Sequence, residues 1–301
     1  MRLLDRIIGF SDAVEARFPP LDQIVDAGGR KVHAVSQGPE GDVPLVLIHG
    51  ASGNVRDFTL SIVPDLATRH RVIALDRPGF GHSDPLPGHG WQLSDQVATL
   101  RAALHAMGVR RYALVGHSYG GSLIMRWVLE HPDEVAGLLA LSAPMLDWGG
   151  GGIGAHYKVG GRPVIGDLLA RLVPVLAGRD YVQDAIRDVF SPDAVPEIYL
   201  PQGGVELALR PPTFRANATM MLRLYPQIVE QAERYDQITC PLHIVHGEAD
   251  TIVPCQIHAI PLKARMPEAE LTLLPGIGHM PHHARPGDVI AAIDRLMAAA
   301  A

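Results

Sequence analysis

The chain has 301 residues, 47% of them apolar, and a formal net charge of −6. That apolar fraction supplies a sizeable core and excludes global disorder, and the length suits one large domain or a domain carrying an insertion. An acidic balance with no dense Lys/Arg block argues against nucleic acid as a partner.

At the N-terminus, Leu3, Leu4, Ile7, Ile8, Val14 and Phe18 recur at helical spacing. They predict a helix packed on the body, with contact to a membrane surface or a second subunit as the alternative. Asp5 and Arg6 interrupt the apolar run that a signal peptide needs, and no segment is long and apolar enough to span a bilayer. Cys240 and Cys255 are too few for a disulfide framework. They read as small buried hydrophobes, so a reducing, cytoplasmic setting is expected.

Further along, short apolar runs predict strands at Lys31 to Ser36, Leu45 to Ile48, Val72 to Leu75, Leu114 to Val115, Gly137 to Leu141, Leu242 to Val245 and Leu271 to Leu274. Helical patterns fall between them, at Phe58 to Ala67, Leu93 to Met107, Ser122 to Glu130, Ile257 to Met266 and Val289 to Met297. Strands alternating with helices imply a mostly parallel sheet covered on both faces, an α/β fold whose ligand site lies beyond the carboxyl ends of the strands. The alternation breaks between about Leu146 and Pro212, which opens on Gly149 to Gly152 and is punctuated by Pro163, Pro174, Pro192, Pro196 and Pro201. This stretch reads as an insertion laid over the strand ends, and its glycines as a flexible entry rather than a phosphate cradle. Leu168, Leu169, Leu172, Val173 and Leu176 give it an apolar face, expected to pack on the body or to line an acyl pocket.

The chemistry concentrates in three strand-end loops. Gly116-His117-Ser118-Tyr119-Gly120 follows an apolar run and precedes a helical one, the strand, sharp turn and helix in which a G-x-S-x-G serine is lifted into a site. A serine hydroxyl needs a base, a histidine has the right acidity, and an acid must hold the imidazole. Asp250 follows the strand at Leu242 to Val245, and His279 follows the strand at Leu271 to Leu274. Asp147, after the strand at Gly137 to Leu141, is a rival acid. Asp250 has the alternative of merely capping the next helix. His282 and His283 lie near His279, but no carboxylate or cysteine cluster completes a metal site with them. His117 is expected to point away from Ser118 and pack beneath the turn. Asp76, Gly79 and Gly81 read as a supporting turn, and Arg56 and Asp57 as a solvated helix start.

With these motifs in order, the chain resembles the α/β-hydrolase family over roughly Gly28 to Leu296. The resemblance rests on the loop around Ser118, on Leu47-Ile48-His49-Gly50-Ala51, on Asp76-Arg77-Pro78-Gly79-Phe80-Gly81-His82-Ser83, and on the Asp250 and His279 loops. It implies an α/β-hydrolase fold: a mostly parallel eight-stranded sheet with helices on both faces and a helical cap inserted after strand six. The corresponding division is a core of 1–145 and 213–301 and a cap of 146–212. It implies Ser118 as nucleophile, Asp250 as orienting acid and His279 as base, with an oxyanion hole from the backbone N–H groups of Ala51 and Tyr119. Relatives that are epoxide hydrolases or haloalkane dehalogenases carry aspartate at the nucleophile position. The serine here favours acyl chemistry on a small or medium hydrophobic ester, without metal or organic cofactor. Carbon–carbon hydrolysis, acyl transfer and peracid formation use the same residues, and a silent ligand receptor is the non-enzyme alternative.

Overall fold

The computed structural model describes residues 9–300, apart from 153 and 177. Eight strands form one sheet: β1 (Gln23–Asp26), β2 (Lys31–Gln37), β3 (Leu45–Ile48), β4 (Val72–Leu75), β5 (Tyr112–His117), β6 (Val135–Leu141), β7 (Leu242–Gly247) and β8 (Glu270–Leu274). Their order is β1-β2-β4-β3-β5-β6-β7-β8, and β2 alone runs against the rest. The central strands are apolar at successive positions because both faces of the sheet are covered. On β3, Val46 and Ile48 enter one core with Leu114, while Leu45 and Leu47 enter the other with Ala113 and Val115. Each such side chain contributes about 1.5–3 kcal/mol by leaving water.

Helices α1 (Phe10–Arg17), α2 (Arg56–Thr59), α3 (Val63–Leu66), α4 (Leu93–Ala106) and α5 (Tyr119–Glu130) precede or interleave with the first five strands. The predicted helix at 58–67 is two short pieces, because Pro64 has no N–H and its ring would clash with the preceding turn. At the edge of the sheet, β1 was missed. It has four residues, none of them buried, and so carries no run of apolar side chains. In α1, Val14 is buried, as is Phe18 just beyond its end, both against Leu207. Leu3, Leu4, Ile7 and Ile8, the rest of the predicted amphipathic segment, lie outside the described residues. Among the described residues no helix is long and apolar enough to cross a membrane. Both cysteines are free, Cys255 buried and Cys240 only partly so.

Between β6 and β7 the chain leaves the sheet. It forms α6 (Ala155–Gly160), α7 (Ile165–Leu176), α8 (Arg179–Phe190), α9 (Tyr199–Gln202) and α10 (Pro211–Ala232), then returns to the neighbouring strand. The longest of these, α10, packs on α6 and α7 and also on α5 and the Pro87–Gly90 turn. On α7, Val173 is buried whereas Leu168 is 61% exposed. After β7 come α11 (Ala259–Arg265), α12 (Pro281–Ala284) and α13 (Pro286–Ala300).

Candidate active site

The Ser118 turn is built by close approach. A Cβ on Gly116 would lie 2.3 Å from the Gly120 carbonyl oxygen, and one on Gly120 would lie 2.2 Å from the Ile48 carbonyl oxygen. Only glycine lets α5 start this tightly against β5 and β3. Ser118 itself takes φ 52°, ψ −119°, a backbone strain on the order of 1–3 kcal/mol for a non-glycine residue. Its N–H donates to the Leu141 carbonyl of β6 at 2.9 Å, which anchors the turn on the central ladder. The hydroxyl stands partly exposed. Among the described residues it makes no hydrogen bond.

Asp250 and His279 meet beyond the ends of β7 and β8. His279 Nδ1 and Asp250 Oδ2 are 2.7 Å apart, and each residue is only 4% exposed. The other carboxylate oxygen, Oδ1, accepts the N–H groups of Ile252 and Val253 at 2.9 Å each. Burial pushes the Asp250 carboxyl up. Nearby His246, the hydrogen bond from His279 and the Val253 N–H outweigh it and hold the acid below the ordinary carboxylate range. An ionised carboxylate only accepts, so Nδ1 of His279 must carry the proton and Nε2 is left as the basic nitrogen.

His117 ties the serine turn to the histidine loop. Its Nε2 donates to the His279 carbonyl oxygen at 2.9 Å, and its ring packs 5.0 Å from that of His279. The expectation that it turns beneath the serine agrees with this placement. His282 extends the stack at 4.6 Å from His117, and His283 follows at 4.7 Å from His282. Burial, followed by the neighbouring His279, pushes His117 down to about 3, so the imidazole under the site is neutral. Asp147 is far from this arrangement in its bonding. It accepts from Gly149 N at 2.7 Å and from Tyr225 at 2.8 Å, on the exposed side of the chain.

The Ala51 and Tyr119 amides have no hydrogen-bond partner among the described residues, whereas the following Ser52 and Gly53 amides are engaged. A Cβ on Gly50 would come within 3.1 Å of Ser118 Cβ, so this loop lies directly beside the serine. Tyr119 opens α5, where the first N–H groups lack intrahelical partners and the dipole favours negative charge. Asp76 accepts from His33 Nδ1, Val55 N and His82 N at 2.6, 2.8 and 2.9 Å, which makes the expected supporting turn a buried junction of three segments.

Asp57 departs from the expectation of a solvated helix start. It is 4% exposed and accepts from the Tyr199 hydroxyl of α9 at 2.5 Å. Burial pushes its carboxyl up to about 6 despite that bond. Nearby, the Asn54 amide donates to the Gly203 carbonyl at 2.9 Å, so the segment entering α2 is clasped to the chain around α9. Sequence reading missed Tyr199, Asn217 and Tyr157, the last two of which meet Ser52 beside the serine. No local pattern marks them, since each partner lies more than 100 residues away in the chain.

Residues 43–286 match the family model of the alpha/beta hydrolase fold, and the chain belongs to the α/β-hydrolase family. It is 29% identical over 273 residues to the dihydrolipoyllysine-residue acetyltransferase component of the acetoin cleaving system of Pseudomonas putida. That match covers 87% of this chain but only 65% of the relative's length. The meta-cleavage product hydrolase CumD of Pseudomonas fluorescens IP01 superposes with a TM-score of 0.76 at 17% identity, over 94% of this chain and 99% of that one. A thermophilic esterase of Thermogutta terrifontis superposes with a TM-score of 0.74 at 20% identity, over 93% and 99%.

Proposed function

We propose that this chain is a serine hydrolase acting on a small or medium hydrophobic carboxylic ester through an acyl-serine intermediate. The observation that carries the reading is the 2.7 Å contact between His279 Nδ1 and Asp250 Oδ2, on a loop whose His279 carbonyl accepts from His117, the residue next to Ser118. In this reading Ser118 attacks the carbonyl carbon while His279 Nε2 takes the hydroxyl proton, and Asp250 offsets the imidazolium charge. The carbonyl oxygen gains negative charge and is received by the Ala51 and Tyr119 amides. Collapse expels the alcohol, which takes the proton from His279. Water then gives its proton to the same nitrogen, attacks the acyl-serine and releases the acid. The helices within 146–212 serve as a cap, clasped to the core through Tyr199 and Asp57, and their apolar side chains select the acyl group.

Purified protein incubated with p-nitrophenyl acetate and butyrate is expected to turn over, and Ser118→Ala to abolish turnover. A fluorophosphonate is expected to label Ser118. Labelling elsewhere, or an active Ser118→Ala, overturns the assignment. Turnover of diketones in place of esters keeps Ser118 and moves the reaction to carbon–carbon cleavage. Tight ligand binding with no turnover across esters, lactones and diketones overturns the enzyme reading in favour of a receptor.

A further inference from the structure

Arg77 is fully buried, and its hydrogen bonds go to neutral groups. Nε donates to the His49 carbonyl at 3.1 Å, Nη2 to the Gly50 carbonyl at 2.9 Å, and Nη1 to Gln96 Oε1 at 3.1 Å. The guanidinium carbon lies 4.2 Å from the ring centroids of both Phe80 and Tyr119. The adjacent carboxylate, Asp76, is occupied by His33, Val55 and His82. A cation held this way is a costly filler, since apolar residues of similar size often serve stability as well or better. Its position suggests another use.

The Gly50 carbonyl and the Ala51 N–H belong to one peptide plane, and in a trans peptide they point in opposite directions. The carbonyl is gripped by Arg77 Nη2 and by His49 Nδ1, each at 2.9 Å. His49 Nε2 in turn accepts from Arg77 N at 3.0 Å, which makes Nδ1 the donor. On the other flank, Asn217 Nδ2 donates to Ser52 Oγ at 2.7 Å and Asn217 Oδ1 accepts the Ser52 N–H at 3.3 Å. The loop is therefore fixed on both sides of the Ala51 amide, which has no partner among the described residues. Donation to a peptide oxygen also strengthens the N–H of the same peptide as a donor, and a charged donor does so more.

We infer that Arg77 is a positioning residue for the anion pocket: by holding and polarising the Gly50–Ala51 peptide it aims the Ala51 N–H at the oxygen that becomes charged during reaction. The inference rests on the proposed function, in which Ala51 supplies one of the two donors. Burial pushes the Arg77 guanidinium down to about 10, still protonated at neutral pH.

The test uses the full chain with Arg77→Met and Arg77→Lys. For Arg77→Met on p-nitrophenyl butyrate, kcat is expected to fall about 10- to 100-fold, somewhat less than loss of a pocket donor itself. KM is expected to stay within about three-fold, the pattern of an interaction made only in the transition state. A trifluoromethyl ketone, which forms a tetrahedral adduct on serine, weakens by the same factor as kcat/KM, while competitive binding of the uncharged 1-butanol is unchanged. Arg77→Lys, which keeps the charge but grips fewer carbonyls, recovers part of both losses. Equal weakening of ketone and 1-butanol, or unchanged kcat in a folded Arg77→Met, overturns the inference. If Arg77→Met does not fold, the wild-type protein decides. The Arg77 Nη–H resonances are expected to shift downfield when the ketone binds and to stay in place with 1-butanol, and resonances unmoved by the ketone overturn the role. An active Ser118→Ala would instead defeat the underlying functional reading.

Discussion

Asp250→Asn separates the charge of the proposed orienting acid from its shape. Oδ1 receives the Ile252 and Val253 N–H groups, so an asparagine keeps its oxygen at that end and turns its NH2 toward His279 Nδ1. The opposite placement sets an NH2 against two backbone donors. With two donors facing each other, His279 shifts its proton to Nε2, the nitrogen that must accept the serine proton. Loss of that tautomer is expected to lower kcat about 10⁴-fold, as in other serine–histidine–aspartate sites. Loss of the charged hydrogen bond costs about 1.5–3 kcal/mol of stability, since among the described residues Oδ2 of the buried acid is met by His279 and by the longer contact to His246 at 3.5 Å. The assay is steady-state hydrolysis of p-nitrophenyl butyrate beside a thermal melt. Asp147→Asn, at a carboxylate that accepts from Tyr225 and Gly149, serves as control and leaves kcat within about two-fold. A folded Asp250→Asn protein with activity within about ten-fold of wild type would refute the tautomer argument.

Gly120→Ala drives a Cβ to 2.2 Å from the Ile48 carbonyl oxygen, a backbone atom that cannot step aside. It is expected to cost at least about 3 kcal/mol, read as a lowered melting midpoint or as loss of soluble protein. His117→Phe keeps the ring packing but drops the bond to the His279 carbonyl. About 1–3 kcal/mol of stability is expected to go, together with a fall in kcat, because the histidine loop is released from the serine turn. Asp57 supplies a pH test. Its folded-state pKa, about 6, lies above the ordinary value of 3.8. The associated stability is therefore fully present below the unfolded pKa and is lost as pH rises through about 6. Asp57→Asn is expected to gain on wild type by about 2–3 kcal/mol between pH 3.5 and pH 7.5, measured by denaturant melts at both. An unchanging difference would show that Asp57 ionises in the fold as it does in water.

What the sequence disclosed follows from where its signals are local. β3 and β4 were read to the residue because both faces of a central strand are buried and the apolar run is uninterrupted. Ser118 and Asp250 stood out because each follows such a strand, and His279 because it follows the edge strand β8, all three in glycine-bearing loops. β1 carries only two apolar residues, and α10 has Pro226 in its interior, so neither shows a clean period. The burial of Asp57 depends on Tyr199, 142 residues away, and the grip of Arg77 depends on carbonyl groups, which no side-chain pattern encodes. The roles proposed for the Ala51 and Tyr119 amides came from family resemblance, not from residue chemistry.

The long excursion between β6 and β7 departs from one strand and comes home to its immediate neighbour, where Leu138 sits opposite Leu242 and Leu141 opposite Val245. Both doorposts of that gap are locked into the same ladder, whatever is hung between them. A graft of foreign length at 146–212 would thus leave the strand registry intact. The His279 loop would still register the exchange, because the Gly278 N–H donates to Asp193 within the excursion at 2.7 Å.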